Sequence, residues 1–251
     1  MIALHELVAS LDGLLQPELY DDYAPNGLQI EGRALVRRVA LGVSANAALI
    51  DQAIGWGADA LLVHHGFFWR GESPVLTGYR GRRVGALMRA ELSLLGYHLP
   101  LDAHEVVGNN AQVLARAGAA PAGAFGGGRA PIGRLGELPE PEAVGVVVAR
   151  LEAALGQRAV AFLHGPGLVR RIAVVTGGGA RYVEAAIDAG ADLFVTGEPS
   201  EQSQGIAREC GANFVALGHH ATERVGVQAA GAWLAQRHGL DVCFFDVPNP
   251  V

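Results

Sequence analysis

Two pairs of adjacent histidines stand directly after apolar runs. Ala60-Leu61-Leu62-Val63 leads into His64-His65-Gly66, and Asn213-Phe214-Val215-Ala216-Leu217 leads into Gly218-His219-His220. A third apolar run, Leu92 to Tyr97, ends in His98-Leu99-Pro100-Leu101-Asp102-Ala103-His104. Continuous apolar runs of this length read as strands buried on both faces. In open α/β sheets, ligands collect beyond the carboxyl ends of such strands. Imidazole and carboxylate without thiolate suit Zn, Mn, Fe or Co, whereas Mg and Ca favour all-oxygen shells. Neighbouring side chains of an extended strand point to opposite faces, so His64 and His65 serve one ion only through a kink at Gly66, or else serve two ions. His219 and Glu223 are four residues apart and share a face if a helix starts near His219; a carboxylate so placed can bridge two metals. For a single histidine pair, a packed and hydrogen-bonded core residue is an equal alternative. Repetition at separate strand ends favours ligation.

The elements that must carry these residues repeat. Arg37-Arg38-Val39-Ala40-Leu41-Gly42-Val43 reads as a strand, followed by an Ala-rich helix through Ile54 and then Gly57-Ala58-Asp59 before the His64-His65 strand. The same plan returns at Arg170-Arg171-Ile172-Ala173-Val174-Val175, with a helix through Ile187 and Gly190-Ala191-Asp192 before Leu193-Phe194-Val195-Thr196-Gly197-Glu198. The offset is 133 residues at both ends, from Arg37 to Arg170 and from Gly57 to Gly190. It sets Glu198 in the place of His65. Further on, His104-Glu105-Val106-Val107-Gly108 lies against Thr222-Glu223-Arg224-Val225-Gly226 at a changed offset. The expected fold is therefore α/β: two intertwined, internally duplicated units with central sheets and a metal site between the halves. The bounds expected are 1–118 for the first repeat, 119–168 for a connector with a short strand-helix-strand, and 169–251 for the second repeat packed with the first. Within the connector, Ala117 to Ala130 is rich in Ala, Gly and Pro and reads as flexible. Leu4, Leu7, Val8, Leu11, Leu14 and Leu15 recur at helical spacing and predict an amphipathic helix that serves packing. Pro25 and Asn26-Gly27 are turn chemistry before a short strand. Gly177-Gly178-Gly179 lacks the spacing of a dinucleotide fingerprint and reads as a tight turn.

Composition bounds the function. A chain of 251 residues, half of them hydrophobic, with 35 glycines, can bury a large core. The net charge of −6 gives no footing for general nucleic-acid or anionic-membrane binding. The basic stretch Tyr79-Arg80-Gly81-Arg82-Arg83 reads as a solvated loop and helix start. Two cysteines, Cys210 and Cys243, make neither a disulfide framework nor a thiolate metal site, which fits a reducing cytoplasm. No signal peptide and no membrane-spanning run is legible.

Taken together, the stretches Asp22-Tyr23-Ala24-Pro25-Asn26-Gly27-Leu28-Gln29, Val63-His64-His65-Gly66, His98-Leu99-Pro100-Leu101-Asp102, Thr196-Gly197-Glu198, Gly218-His219-His220-Ala221-Thr222-Glu223 and Pro248-Asn249-Pro250 are specific. Over essentially its whole length the chain resembles the dinuclear-metal-centre proteins similar to yeast NGG-interacting factor three, often labelled GTP cyclohydrolase I type 2 homologues. The resemblance implies that His64, His65, Asp102, His219 and Glu223 bind two divalent metals with Glu223 shared. It implies too that Glu198, His98 and Asn26 line the pocket, and that the subunits form a toroidal homohexamer. Many members carry proline where this chain has Gly66, and the large inserted domain of some is missing here. Paired divalent ions suit metal-assisted hydrolysis of a nucleotide or related small molecule, with Glu198 or His98 carrying protons. The alternative is a non-catalytic metal-binding assembly that stores, delivers or senses ions, or scaffolds partner proteins.

Overall fold

The computed structural model describes residues 1–251. In chain order the first elements are β1 (Ile2–Ala3), α1 (Leu4–Leu15), β2 (Gly27–Ile30), β3 (Leu35–Val36), β4 (Arg38–Ser44), α2 (Ala47–Trp56) and β5 (Ala60–His65). Then come α3 (Gly78–Arg89), β6 (Ser93–Gly96), α4 (Leu99–Ala103), α5 (Asn109–Ala117), β7 (Ala120–Phe125), β8 (Gly133–Ala143), α6 (Val144–Leu155) and β9 (Val160–Leu163). The last are β10 (Leu168–Val175), α7 (Val183–Asp188), β11 (Leu193–Thr196), α8 (Ser203–Glu209), β12 (Asn213–Ala216), α9 (His219–His238) and β13 (Asp241–Phe244). The chain forms two compact units, Met1–Leu101 with Val227–Pro248, and Asp102–Gly226 with Asn249–Val251.

The first unit holds a five-stranded sheet in the order β13-β4-β5-β6-β2, parallel except for β2. Its core gathers Leu49, Ile50 and Ala53 of α2, Leu61 and Val63 of β5, and Leu87 of α3. Asn46 caps α2 by accepting from the Leu49 amide at 3.0 Å. The α1 helix buries Leu4, Leu7, Leu11 and Leu15, as its spacing predicts. At about 1.5–3 kcal/mol for each fully buried leucine, that stripe outweighs the small cap energies at its ends.

The second unit holds a six-stranded sheet in the order β7-β8-β10-β11-β12-β9. Its central strands β10, β11 and β12 are parallel and the others antiparallel. One face buries Val113, Leu151, Val174 and Val195, and the other buries Val175, Val183, Phe194 and Phe214.

The duplication is present down to single hydrogen bonds. Val39 pairs with Ala60 in the first sheet, and Ile172 with Leu193 in the second, at the offset of 133. Asp59 accepts from the Arg37 and Arg38 amides at 2.9 and 3.0 Å; Asp192 accepts from the Arg170 and Arg171 amides at 2.9 and 2.8 Å. Gly57 and Gly190 both end a helical segment at positive φ, 74° and 76°, where a side chain would be strained. The repeat also reaches β2 and β9. Each runs antiparallel to the third strand of its sheet, and Gly32 and Gly165 donate to Ser93 and Asn213 at 3.0 Å.

Residues 119–168 are therefore not a connector. They supply β7, β8, α6 and β9, all integral to the second unit. The stretch Ala117 to Ala130 is not a flexible run throughout, since β7 pairs with β8 from Ala120 to Phe125. Poverty of side chains made it look like a linker, whereas ladder pairing depends on backbone groups that every residue carries. Gly126, Gly127 and Gly128, all at positive φ, make the turn. The last strand, β13, joins the first unit by pairing with β4, although it follows the second repeat in sequence.

Candidate functional site

In the first unit the side chains of interest lie at the carboxyl ends of β5 and β6. His64 is fully buried, and its Nδ1–H donates to the Tyr97 carbonyl at 2.9 Å, which puts the ring's lone pair on Nε2. His65 Nδ1 bonds the Ser44 hydroxyl at 2.9 Å. Strand alternation predicts that these two rings diverge. Instead their centroids are 4.6 Å apart, and His98 lies 5.1 Å from His64 and 5.7 Å from His65. Ring nitrogens of all three come within 4.8 Å of one another, a spacing that could hold a metal ion. At a strand end the sheet imposes pairing on one side only, so the final side chains can fold over the edge.

His98 is held from several directions. Its Nδ1 bonds Asp22 Oδ1 at 2.8 Å, its backbone amide donates to Asn26 Oδ1 at 2.7 Å, and the next amide, of Leu99, donates to Asp22 Oδ2 at 2.9 Å. Burial pushes the Asp22 carboxyl up, but the hydrogen bond and charge of His98, with donors from Asn26 and Ala24, outweigh it and bring the group down to about 2. Tyr23 and Trp69 meet the His98 ring edge-on at 5.0 and 5.1 Å. Asn26 is thus more than a turn residue: its amide donates to Asp22 at 3.0 Å while its oxygen fixes His98.

In the second unit the carboxyl ends of β10, β11 and β12 carry the corresponding groups. The α9 helix begins at His219, so His219 and Glu223 share a face, with Nε2 to Oε1 at 3.1 Å. His219 Nδ1 bonds Glu198 Oε1. Burial pushes the His219 imidazole down, but the carboxylates of Glu223 and Glu198 override it and raise it to about 9. Asp102 is buried, and its Oδ1 accepts from Asn109 at 2.9 Å and from the Thr176 hydroxyl at 3.0 Å. Asn109 in turn accepts from the Gly226 amide at 2.8 Å, tying α5 to α9. The triple glycine makes room for these side chains, because a Cβ on Gly177 would collide with Glu223 Oε1 and come within 3.0 Å of His219 Nε2.

The side chains include His, Asp and Glu groups that could hold a metal ion. His64, His65 and His219 each have Nδ1 fixed by a hydrogen bond that orients the ring, and Asp102 has one oxygen fixed by two donors. Such outer partners hold metal-binding side chains in place and set the tautomer of the ligating ring. Reasoning from sequence missed the residues that do this holding: Ser44, Asn109 and Thr176. Each is a small polar residue near the end of an element, a type too common on loops to stand out. Asp22 was visible only within the family stretch, with no periodicity to mark it. His220, the second member of its pair, is buried, and its backbone amide donates to the Val251 carbonyl at 2.9 Å.

The family model for Duf34/NIF3 (NGG1p interacting factor 3) matches residues 2–250. Over 250 residues the chain is 46% identical to a Pseudomonas aeruginosa protein named GTP cyclohydrolase 1 type 2 homolog, with 99% of each chain covered. A protein of the same name from Escherichia coli strain K12 is 44% identical over 246 residues, with 98% of each covered. Among solved structures, protein ybgI, of unknown function, superposes with a TM-score of 0.94 at 43% identity over 100% of both chains. TTHA1606 from Thermus thermophilus does so with a TM-score of 0.90 at 34% identity, again over 100% of both. By its sequence along the whole length and by its fold, this chain belongs to the Duf34/NIF3 family.

Proposed function

We propose that this protein is a hydrolase that uses two divalent metal ions and acts on a nucleotide or related small molecule. The observation that carries the reading is the Asp22–His98 pair, set against the imidazoles of His64 and His65. His64, His65, Asp102, His219 and Glu223 would hold the ions, with Glu223 shared, as the family resemblance implies. When bound, such ions lower the pKa of water and polarise the bond to be cleaved.

In this reading His98 carries the proton between the attacking water and the leaving group through Nε2. Asp22 keeps the ring in one tautomer and balances its charge when protonated. Tyr23 and Trp69 wall the His98 ring and limit the water that reaches it. Glu198 acts as a positioning residue, since it holds His219 by Nδ1. The name GTP cyclohydrolase 1 type 2 homolog, borne by the bacterial relatives, is of the same reaction class. We further propose that the working assembly is a homohexamer. Val160 and Leu163 are exposed on the edge strand β9, and an exposed apolar edge invites another chain.

Metal-controlled turnover of a panel of nucleotides and phosphoesters tests the reading. Hydrolysis that requires the ions, and that falls at least about a hundredfold in His98→Gln with its metal content kept, supports it. A second reading, a non-catalytic metal-binding assembly, draws on the same orienting bonds, because structural sites also fix every ligand. Two tightly held ions with no turnover under any metal would favour it.

A further inference from the structure

A cleft of about 90 Å³ opens in the first unit beside the histidines, lined by Phe67, Trp69, Tyr79, Arg80, Arg83 and Val84 among others. It lies in a part of the first repeat that is longer than its counterpart in the second. Leu61 pairs with Leu94 and Phe194 with Phe214, so the connection in the first repeat is longer by 13 residues (33 against 20). Most of the extra chain lies in the stretch before α3, where 66–77 answers to 197–202, and in α3 itself, which at Gly78–Arg89 is longer than its counterpart α8 at Ser203–Glu209.

This segment is held in place. Gln29 accepts from the Phe67 amide at 2.7 Å and donates to the Pro25 carbonyl at 2.7 Å. Phe68 adopts a left-handed φ of 65°, costly for a bulky residue and tolerated where surrounding structure imposes it. Trp69 joins the cleft to the histidines, with its ring 5.8 Å from that of His65 and 5.1 Å from that of His98.

The charged side chains lining the cleft are Glu72, Arg80 and Arg83, which leaves an excess of one positive charge. Arg80 is neutralised by Glu72 at 2.8 Å. Arg83 is half-buried and sits 5.0 Å over the Tyr79 ring without a carboxylate partner. The α3 helix starts here with no acidic residue in its first turn and no side chain capping it, so its amide dipoles add positive potential. A half-buried guanidinium on an aromatic face, in the second turn of a helix whose start is uncapped, is suited to an anion. The aromatic rings beside it are suited to a flat body.

We propose that this cleft is a specificity subsite for a planar aromatic ligand bearing a phosphate-like dianion, with Arg83 binding the anion and Trp69 stacking on the ring. The inference deepens the proposed function, on which it rests for the reacting end of the ligand lying at His98. The first unit's added segment thereby gives the site its substrate preference.

Calorimetric titration of the metal-loaded protein with phenylphosphonate, methylphosphonate and benzamide tests this, with elemental analysis of each preparation. Phenylphosphonate is expected to bind more tightly than either fragment. Arg83→Met is expected to weaken it at least about tenfold, the lower end for a hydrogen bond to a charged group. Arg83→Lys should restore part of the loss, and benzamide binding should not change. Tyr79→Leu, which removes the face under Arg83, gives a second variant and should weaken phenylphosphonate in the same direction. Equal affinity for phenylphosphonate and methylphosphonate, or unchanged affinity in both Arg83→Met and Tyr79→Leu, overturns the proposal. Repeating the titration after chelation separates the two readings. Arg83-dependent binding that survives without ions belongs to this cleft, whereas wild-type protein that never holds two ions defeats the dinuclear reading and leaves the subsite to be judged on its own titration.

Discussion

Glu198 shows how a single contact changes the role of a residue. The repeat alignment sets it in the place of His65, and as a carboxylate at a strand end it suits proton transfer. Its bond to His219 Nδ1 is the ground for giving it instead the role of holding that ring, a proposed metal ligand. The two roles separate in Glu198→Gln, which keeps the shape but removes the charge. If Glu198 positions His219, the variant should bind metal more weakly by about tenfold to a hundredfold, the usual effect of losing an outer partner. If it carries the proton, the variant should keep its ions and lose at least about a hundredfold in turnover. Metal content and turnover measured together decide it. Gly177 offers a related check at the same site. Gly177→Ala should displace the Glu223 carboxylate and lower metal occupancy, while far-ultraviolet circular dichroism stays at the wild-type level; undiminished occupancy would count against the role given to Glu223.

At the scale of elements, the duplication is a set of equivalent joints. Asp59 and Asp192 each close the turn between a helix and a strand by accepting two amides from the preceding strand's start. Asp59→Ala and Asp192→Ala should each destabilise by about 1–3 kcal/mol, the cost of leaving amide donors poorly satisfied. Denaturant midpoints measure this, and wild-type stability in either variant would show that the shared joint is not a shared source of stability. Asp59 also meets Arg33 at 3.3 Å, but that pair is half exposed and adds little. The repeats diverge where function needs asymmetry: after β5 the chain runs on into Phe67, Phe68 and Trp69, while after β11 it passes by Pro199 toward α8.

For the whole molecule, the proposed centre makes numerical demands. Protein purified without chelators and repleted with metal should contain two divalent ions per chain by elemental analysis; one or fewer would sink the dinuclear reading. Glu223→Ala should lose both ions, because a shared ligand serves each, whereas Asp102→Ala should weaken mainly one. Equal retention in the two variants would refute the shared ligand. Light scattering at micromolar concentration should report a homo-oligomer of six subunits, and a clean monomer would refute the proposed hexamer. No helix is long and apolar enough to cross a membrane.

The sequence by itself determined the α/β class, the three strands that lead into His64-His65, His98 and His219, though β6 and β12 end one residue earlier than their apolar runs, at Gly96 and Ala216, and the repeat with its offset of 133. These follow from local pattern, since an apolar run, a four-residue spacing and a repeated Arg-Arg…Gly-Ala-Asp frame are all legible without contacts. The resemblance carried by Asp22 to Gln29 and the histidine pairs also identified the family, because its motifs are short and specific. Tertiary structure alone decided that 120–125 is a strand, as ladder pairing uses backbone groups that leave no mark in composition. It alone returned β13 to the first sheet across the length of the second repeat. It also decided that Asp22, Ser44 and Thr176 are the partners of His98, His65 and Asp102. Hydrogen bonds between residues 76, 21 and 74 positions apart have no period, and only the folded chain brings them within 3.0 Å.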